Sequence, residues 1–335
     1  MSIGIKAIEY ILPEKILTNE ELSKIYKDWS AEKILNKTGI ASRHIVSKDE
    51  HASDLGVKAS KKLFEAGVIT PGAIDFVILA TQSPDYLLPT TSCIIQDKLG
   101  IPQTSGALDF NLGCSAYIYG LAMAKSFINT GIAKNVLLIM AETYSKYIHP
   151  LDRSVRTIFG DAAAATLICD NDDGHAIGDF DLGTDGSGKN ALIIPSGGSR
   201  LPKSKKTAKE KEDNGSIRSL DNLYMDGTEV FNFAIRVVPR SIKNILDKHG
   251  LTLDDIDLFI FHQANKFILE FLKKKIMIPN EKFYVNMQDI GNTVSASIPI
   301  ALKRAEEEGR LHKKDKILIT GFGVGFSWGS TIITY

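Results

Sequence analysis

The sequence has little of what marks several large classes of protein. It contains three cysteines in 335 residues, at positions that match no metal-binding spacing, so we expect no metal site. The odd number of cysteines argues against a disulfide framework and fits a reducing cytoplasm. The chain has no apolar run long enough to span a membrane, and its first residues do not form a basic segment followed by an apolar one. We therefore expect a cytoplasmic protein without a membrane segment.

Net charge is absent as well. Forty Lys and Arg residues balance forty Asp and Glu residues, so the chain carries no overall field that would attract nucleic acid or an anionic membrane. What is present is a 44% hydrophobic content over a length that normally forms two domains or one fused pair. These numbers predict a large globular core and exclude nucleic acid as an expected partner.

One cysteine lies where a nucleophile would be placed. A predicted strand, Gly106–Phe110, leads through Gly113 to Cys114, and a predicted helix covers residues 115–128. Cys114 is then at or beside the helix N-terminus, where unpaired N–H groups and the helix dipole favour a thiolate. Covalent acyl-transfer enzymes place their nucleophile at such a strand-to-helix turn. The alternative is that Cys114 is a small buried hydrophobic residue.

Strands and helices alternate along the chain, which predicts an α/β protein with helices packed on a mostly parallel sheet. The second half also repeats the first, since three segments have counterparts at similar offsets. Residues 73–82 resemble 255–263, residues 112–114 match 290–292, and 135–140 match 316–320. We therefore predict a duplicated unit with halves at residues 1–170 and 171–335. The charged segment 196–222 between them is interpreted as either a surface loop or a lid over a site.

Two further polar residues share the strand-end placement of Cys114. His262 follows the apolar run Leu258–Phe261, and Asn292 follows a predicted strand at 282–287 and precedes a predicted helix at 295–308. Ligands of α/β sheets collect at the carboxyl ends of strands, so a pseudo-twofold arrangement of the halves would bring the three side chains together. Separately, His262 could be a satisfied core residue and Asn292 a turn former.

The glycine-rich run 321–329 is not interpreted as a dinucleotide loop. Such a loop opens a helix, whereas this run is followed by a predicted terminal strand at 330–335. Its glycines instead predict close backbone approach that would expose an N–H to a substrate oxygen.

These segments together carry a resemblance that extends in order over nearly the whole chain. The segments around Cys114, His262, Asn292 and the glycine-rich run are similar to the signatures of β-ketoacyl-acyl-carrier-protein synthase III. The resemblance implies a thiolase-like fold, in which two βαβ-rich halves form five αβαβα layers, usually as a homodimer. It also implies no cofactor beyond the phosphopantetheine that carries the substrates.

The resemblance implies a decarboxylative Claisen condensation. Cys114 would take an acyl group from an acyl-CoA or acyl-carrier-protein primer. Malonyl-acyl-carrier protein would then lose CO₂, and His262 and Asn292 would hydrogen-bond the enolate. The backbone N–H groups of Cys114 and Val324 would form the other oxyanion hole.

By the same resemblance, several residues would bind the phosphopantetheine arm and the substrate. They are Lys37, Leu88, Arg153, Ile158, Gly227, Phe231, Ala264 and Asn265. Three positions depart from the family. Lys33 stands where a Trp commonly stacks on the CoA adenine, Lys37 replaces an Arg, and Leu88 replaces a Phe that closes the acyl pocket. We therefore expect a primer other than acetyl-CoA, such as a longer acyl chain or one delivered by a carrier protein.

Other functions stay open at this stage. An acyltransferase of the same fold would pass the acyl group from Cys114 to an alcohol, an amine or water without decarboxylation. A cysteine protease is disfavoured because its local cysteine signature is missing. A non-catalytic partner subunit is disfavoured because Cys114, His262 and Asn292 are all present.

Overall fold

The computed structural model describes residues 2–170 and 175–335. This part of the chain forms sixteen strands and nine α-helices. The strands are β1 (Ile3–Ile11), β2 (Ile16–Thr18), β3 (Ser42–His44), β4 (Phe76–Ala80), β5 (Gly106–Phe110), β6 (Asn135–Glu142), β7 (Ala162–Asp170), β8 (Ala176–Thr184), β9 (Leu192–Ile193), β10 (Lys211–Asp213), β11 (Ser216–Arg218), β12 (Tyr224–Met225), β13 (Leu258–Phe261), β14 (Phe283–Tyr284), β15 (Lys316–Gly323) and β16 (Ser327–Thr334). The helices are α1 (Asn19–Ile25), α2 (Ala31–Thr38), α3 (Ala52–Glu65), α4 (Thr91–Lys98), α5 (Ala116–Asn129), α6 (Arg153–Arg156), α7 (Gly227–His249), α8 (Lys266–Ile276) and α9 (Ser297–Glu307).

Ten strands form one mixed sheet in the order β14-β13-β15-β16-β8-β1-β7-β6-β4-β5. The order divides into two groups of five, which meet where β1 pairs with β8 through Gly4 and Ala176. In the first group β4 lies parallel to both β5 and β6, and β7 runs antiparallel to β6 and β1. In the second group β13 lies parallel to β14 and β15, and β16 runs antiparallel to β15 and β8. The two halves therefore repeat one topology, as the sequence predicted.

The helices also correspond between the halves and give the fold its layers. Helix α5 contacts strands of both groups, as does α9, so these two helices lie between the halves. Helices α3 and α4 cover the outer face of the first group, while α7 covers the outer face of the second and packs against α8. Three apolar clusters occupy the interfaces between these layers. The predicted α/β thiolase-like architecture of five αβαβα layers is confirmed.

Two predicted element boundaries near the site are wrong. The strand expected at 282–287 is only Phe283–Tyr284, because the backbone then leaves the sheet. The Asn286 N–H donates to Gln263 Oε1 at 2.6 Å, and the Gln288 carbonyl accepts N–H groups from Ala41 and Ser42. The glycine-rich run 321–329 is mostly strand, since β15 and β16 leave only residues 324–326 as their connection.

The charged segment 196–222 contains regular structure. Strands β10 and β11 form an antiparallel hairpin whose turn residues, Asn214 and Gly215, both have positive φ, as a two-residue hairpin turn requires. Arg153 Nη2 donates to the Asn214 carbonyl at 2.6 Å and holds this hairpin to the first half. The predicted boundary between residues 170 and 171 adjoins residues 171–174, which lie outside the described part, and it stays a prediction. No helix in the described part combines the length and apolarity needed to cross a membrane.

Candidate active site

Cys114 lies in the turn between β5 and α5, two residues before the helix begins. It is buried, and its backbone packs directly against the end of β15. A Cβ atom at Gly321 would lie 2.7 Å from the Cys114 carbonyl oxygen, and one at Gly323 would lie 3.0 Å from Cys114 Sγ. Only glycine leaves room for the nucleophile there, which confirms the close approach predicted from the glycine-rich run.

The electrostatic environment of Cys114 differs from the sequence prediction. Burial raises the pKa of the thiol well above its ordinary value, and the negative charge of Glu142 raises it further. A backbone hydrogen bond at the helix end lowers the pKa, but it is the smaller effect. In the protein without substrate, the pKa of Cys114 is therefore shifted in the direction opposite to the one that the helix N-terminus was expected to favour, because desolvation of the charged form outweighs the backbone hydrogen bond.

Glu142 is a buried residue of the site that the sequence did not identify. It ends β6, and its carboxylate accepts hydrogen bonds from the Gln82 N–H at 3.0 Å and from Ser295 Oγ at 2.9 Å. Burial raises the pKa of Glu142 to about 8, although these hydrogen bonds oppose the shift. Its only sequence signal was an acidic residue at the end of an apolar strand.

His262 directly follows β13, as predicted. Its backbone N–H donates to the Thr320 carbonyl at 2.8 Å, and its ring packs edge-on against Phe322, with centroids 5.7 Å apart. Nδ1 of the ring lies 2.7 Å from Ser297 Oγ. Burial lowers the pKa of His262 to about 3, which a hydrogen bond with the Val294 backbone partly offsets. The imidazole is therefore neutral at ordinary pH.

Asn292 is fixed by the backbone on both sides. Its N–H donates to the Ile158 carbonyl and its carbonyl accepts from the Gly160 N–H, both at 2.9 Å. Its side-chain oxygen accepts the Val294 N–H at 2.9 Å. The side-chain nitrogen Nδ2 is left to donate, and it lies 3.3 Å from the Ala264 carbonyl oxygen.

The three predicted residues come together around β15. Cys114 packs against Gly323, while His262 bonds to Thr320 on the same strand. Nδ2 of Asn292 lies 3.3 Å from Nε2 of His262. Cys114 also shares an apolar cluster with Val294, whose N–H holds the Asn292 side chain. A thiol and two hydrogen-bonding side chains thus lie around the end of one strand.

A cavity of about 690 Å³, the mouth cavity, opens at the surface and is lined in part by Ile158, whose carbonyl accepts the Asn292 N–H. Three of the predicted substrate-binding residues line it, namely Lys37, Ile158 and Asn265. Asn265 also caps α8, because its side-chain oxygen accepts the Ile268 N–H at 2.9 Å. The amide NH₂ of Asn265 has no part in this cap and can donate to a ligand.

The mouth cavity has an aromatic surface that the sequence analysis missed. Trp29 lines the cavity, and its ring centroid lies 5.1 Å from Lys37 Nζ, 5.7 Å from Lys33 Nζ and 5.5 Å from the Arg153 guanidinium carbon. We expected Lys33 where the family commonly has a stacking tryptophan, and Trp29 places an indole at the same mouth.

The other predicted substrate-binding residues lie at different distances from the site. Arg153 and Gly227 line a neighbouring cavity of about 380 Å³, beside the β10–β11 hairpin. Phe231 lies next to the mouth cavity, where it packs against Phe267 and Phe271 with ring centroids 5.1 Å away in each case. Ala264 does not line this cavity, and it contributes the carbonyl that holds Asn292.

Leu88 is not part of the site within its own chain. It lies in the segment 86–88, where the exposed fractions of Tyr86, Leu87 and Leu88 are 63%, 87% and 86%. The backbone atoms of Val324, in contrast, directly follow Gly323 and so adjoin Cys114. Val324, which the resemblance assigned to the oxyanion hole, therefore lies close to Cys114. Leu88, which the resemblance assigned to substrate binding, does not contact the site within its own chain.

The repeated five-layer fold, with a cysteine, a histidine and an asparagine in the connections that follow β5, β13 and β14, defines the thiolase-like condensing enzymes, which are transferases. Two family models match the chain. One, described as 3-oxoacyl-[acyl-carrier-protein] synthase III, covers residues 108–186, and one for the C-terminal part of that enzyme covers residues 246–335. The chain belongs to the 3-oxoacyl-[acyl-carrier-protein] synthase III family.

Comparison of the chain with individual proteins identifies the same family. The chain is 41% identical over 335 residues to β-ketoacyl-[acyl-carrier-protein] synthase III of Caldanaerobacter subterraneus, covering 100% of this chain and 98% of the relative. It is 39% identical to the Fusobacterium nucleatum protein of the same name, covering 100% and 99%. Among solved structures, a 3-oxoacyl-(acyl-carrier-protein) synthase III matches with a TM-score of 0.97 and 47% identity over 100% of both chains. The Thermus thermophilus enzyme matches with a TM-score of 0.86 and 35% identity over 99% of both chains.

Proposed function

We propose that this enzyme condenses an acyl thioester primer with malonyl-acyl-carrier protein, with loss of CO₂, to give a β-ketoacyl-carrier protein. The reaction would serve fatty-acid initiation or a specialised lipid or polyketide pathway. The observation that carries the assignment of roles is the convergence of Cys114, His262 and Asn292 around the end of β15. Family membership supports the class of reaction.

The first half-reaction is an acyl transfer to Cys114. Sγ bonds to the acyl carbonyl carbon, the bond from that carbon to the carrier sulfur breaks, and the thiol proton passes to the departing thiolate. The carbonyl oxygen gains negative charge during the attack. By the resemblance, the backbone N–H groups of Cys114 and Val324 would stabilise that charge, and Gly323, which precedes Val324, packs against Cys114. No cofactor takes part, and the phosphopantetheine thiol serves as the carrier.

The second half-reaction forms the carbon–carbon bond. The carboxylate of the malonyl group leaves as CO₂, and the electron pair of the broken bond forms an enolate on the malonyl thioester. His262 Nε2–H and Asn292 Nδ2 would donate hydrogen bonds to the enolate oxygen. The enolate carbon then attacks the acyl carbonyl carbon, the bond from that carbon to Cys114 Sγ breaks to release the product, and the cysteine thiolate takes up a proton from solvent.

This role requires the proton of the neutral imidazole on Nε2. Ser297 Oγ accepts the Gln263 N–H at 3.4 Å and lies 2.7 Å from Nδ1 of His262. The serine proton can then be donated to Nδ1, which leaves the imidazole proton on Nε2. Two donors, Nε2–H and Asn292 Nδ2, would in that case converge on one acceptor.

The charges of the mouth cavity suit an anionic carrier. Lys37, Lys266 and Lys274 line it together with a single acidic residue, Glu270. Phosphate groups of CoA or of the phosphopantetheine arm would be attracted there, and an acidic acyl-carrier protein would be guided to the same face. Trp29 offers a flat surface for an adenine ring.

A homodimer is proposed from two unpartnered features of the described chain. Strand β5 ends the ten-stranded sheet, so one of its edges has no neighbouring strand, and its residues are only partly buried. The exposed apolar segment 86–88 precedes α4, which packs against β5. A second copy that pairs with β5 would cover both features.

Acyl transfer and decarboxylation can be measured separately. The purified chain is incubated with acyl-CoA and acyl-carrier-protein primers and weighed intact, with Cys114→Ala as the control. CO₂ release from malonyl-acyl-carrier protein is followed in parallel. We expect an acyl adduct that Cys114→Ala does not form, and CO₂ release that depends on His262 and Asn292. Adduct formation without CO₂ release would instead indicate acyl transfer to an alcohol, an amine or water.

A further inference from the structure

The connection that carries Asn292 contains a residue with a strained backbone. Val294, two positions after Asn292, has a φ of 55°. A β-branched residue rarely adopts this left-handed conformation, and it does so only where the surrounding structure holds it there. The strained residue serves the site, because the Val294 N–H donates to Asn292 Oδ1 at 2.9 Å. This hydrogen bond leaves Asn292 Nδ2, and not the oxygen, facing Nε2 of His262.

Ser295, the next residue, ties this turn to the other half of the fold. Its Oγ donates to Glu142 Oε1 at 2.9 Å, and both residues are fully buried. Ser295 belongs to the second half of the chain, whereas Glu142 ends β6 in the first half. The segment Val294–Ala296 also packs on β6 and β7, so the hydrogen bond lies within a packed interface between the halves.

Glu142 is itself held firmly within the first half. Its Oε2 accepts the Gln82 backbone N–H at 3.0 Å and lies 3.4 Å from Ser83 Oγ. Ser83 Oγ in turn accepts the Thr143 N–H at 2.8 Å. Both carboxyl oxygens therefore have partners, and rotation of the buried group would leave hydrogen bonds unmade. Glu142 is thus a fixed point to which the strained turn is attached.

We propose that Glu142 and Ser295 are positioning residues that hold the Asn292 amide in the orientation needed for decarboxylation. The inference rests on the proposed condensation, in which Asn292 Nδ2 donates to the enolate oxygen. The two residues act through the Val294 N–H. When the Ser295–Glu142 hydrogen bond is lost, Val294 can relax from its left-handed conformation, and Asn292 then loses the donor that orients its side chain.

The test compares the two half-reactions in Ser295→Ala, which removes one hydroxyl group. Adduct formation on Cys114 is timed by intact mass with an acetyl thioester, and CO₂ release from malonyl-acyl-carrier protein is timed separately. We expect CO₂ release to slow about 10- to 100-fold and acylation to change by less than about twofold, because only a donor to the enolate is misplaced. Ser60→Ala is the matched control, since Ser60 is a buried serine of α3 whose Oγ donates to the Gly56 carbonyl. It should keep both native rates.

Two further variants separate positioning from a general loss of stability. If Ser295 acts through Asn292, adding Ser295→Ala to Asn292→Ala should not slow CO₂ release further. Glu142→Gln can still accept the Gln82 N–H and can donate its NH₂ to Ser295 Oγ, whereas Glu142→Ala can do neither. We therefore expect CO₂ release in Glu142→Gln to be at least about fivefold faster than in Glu142→Ala.

Each outcome bears on one idea. Native CO₂ release in Ser295→Ala, an equal loss of acylation, or a further loss in the Asn292→Ala background would refute the positioning role and leave the condensation intact. A Glu142→Gln variant no faster than Glu142→Ala would likewise refute it. A native enzyme that forms the acyl adduct but releases no CO₂ would refute the proposed condensation, and the positioning role with it. Thermal unfolding checks each variant, and Ser295→Ala provides the result if Glu142→Ala does not fold.

Discussion

Nδ2 of Asn292 lies 3.3 Å from Nε2 of His262, although thirty residues separate them in the chain. The two atoms come from different connections, one after β13 and one before α9, and only the tertiary structure brings them together. When the imidazole proton is on Nε2, both atoms are donors, and one oxygen acceptor can then take a hydrogen bond from each. The first predictions follow from this relationship.

Removal of either donor should impair decarboxylation more than acylation. We expect His262→Ala and Asn292→Ala each to reduce CO₂ release about 10²–10³-fold, since one donor to a developing oxyanion is lost. Acyl adduct formation on Cys114, measured by intact mass, should change far less. Asn286→Ala, in a neighbouring loop outside the site, serves as the matched control. Equal losses in both half-reactions would contradict separate roles.

The rate of CO₂ release should show no change with pH that reports the titration of a histidine. Because burial lowers the pKa of His262 to about 3, the imidazole stays neutral as the pH falls from 8 to 5. Stopped-flow measurement of CO₂ release over that range should therefore give no decrease centred near the ordinary histidine pKa of about 6.5. A decrease in the rate of CO₂ release near pH 6.5 that disappears in His262→Gln would contradict a neutral His262 imidazole.

Glu142→Gln should stabilise the fold, and more so at higher pH. The folded pKa of Glu142 is about 8, above its ordinary value of 4.5, so the folded state keeps a proton that the unfolded state releases. The stability of the native enzyme that depends on this proton is present below pH 4.5 and is lost as the pH rises towards 8. We expect the advantage of the variant to increase over that range, to roughly 2–4 kcal/mol. Urea denaturation at pH 5, 6.5 and 8 measures the unfolding free energy of the variant and of the native enzyme. A difference between them that does not change with pH would contradict the raised pKa of Glu142.

Trp29 should contribute to the binding of CoA thioesters. We expect Trp29→Ala to raise the KM for an acyl-CoA about 3- to 30-fold, because an aromatic surface flanked by cations is lost. Trp29→Tyr keeps a ring and should have a smaller effect. The rate at saturating substrate should change little. An unchanged KM in Trp29→Ala would show that the indole does not contact the carrier.

Gly323→Ala should damage the site through steric conflict alone. The new methyl group would lie 2.8 Å from Cys114 Cβ and 3.0 Å from Sγ, closer than packed atoms tolerate. We expect a destabilisation of about 1–3 kcal/mol and a large loss of acylation. In Gly72→Ala, an added methyl group meets nothing within 4 Å, and that variant should behave like the native protein. Thermal unfolding and intact mass provide the two measurements.

Local sequence was sufficient for the strand-end positions of the candidate site. The run Leu258–Phe261 is buried on both faces, so its apolar character ended where the polar His262 began. The duplication was indicated in part by the similarity between the segment around Gly113 and Cys114 and the segment around Gly291 and Asn292. The glycines of β15 indicated close backbone approach, which the structure places against Cys114.

The sequence by itself thus determined the duplicated fold and three polar side chains at equivalent strand ends, because apolar period and glycine placement are local properties. Tertiary structure alone decided what surrounds them. It placed Trp29 beside Lys37, Glu142 near Cys114, and the Tyr144 hydroxyl where it donates to Gln82 Oε1. Burial also raises the pKa of Cys114, against the thiolate that the helix end was expected to favour, since desolvation depends on everything packed around a group and is not visible in its neighbours along the chain.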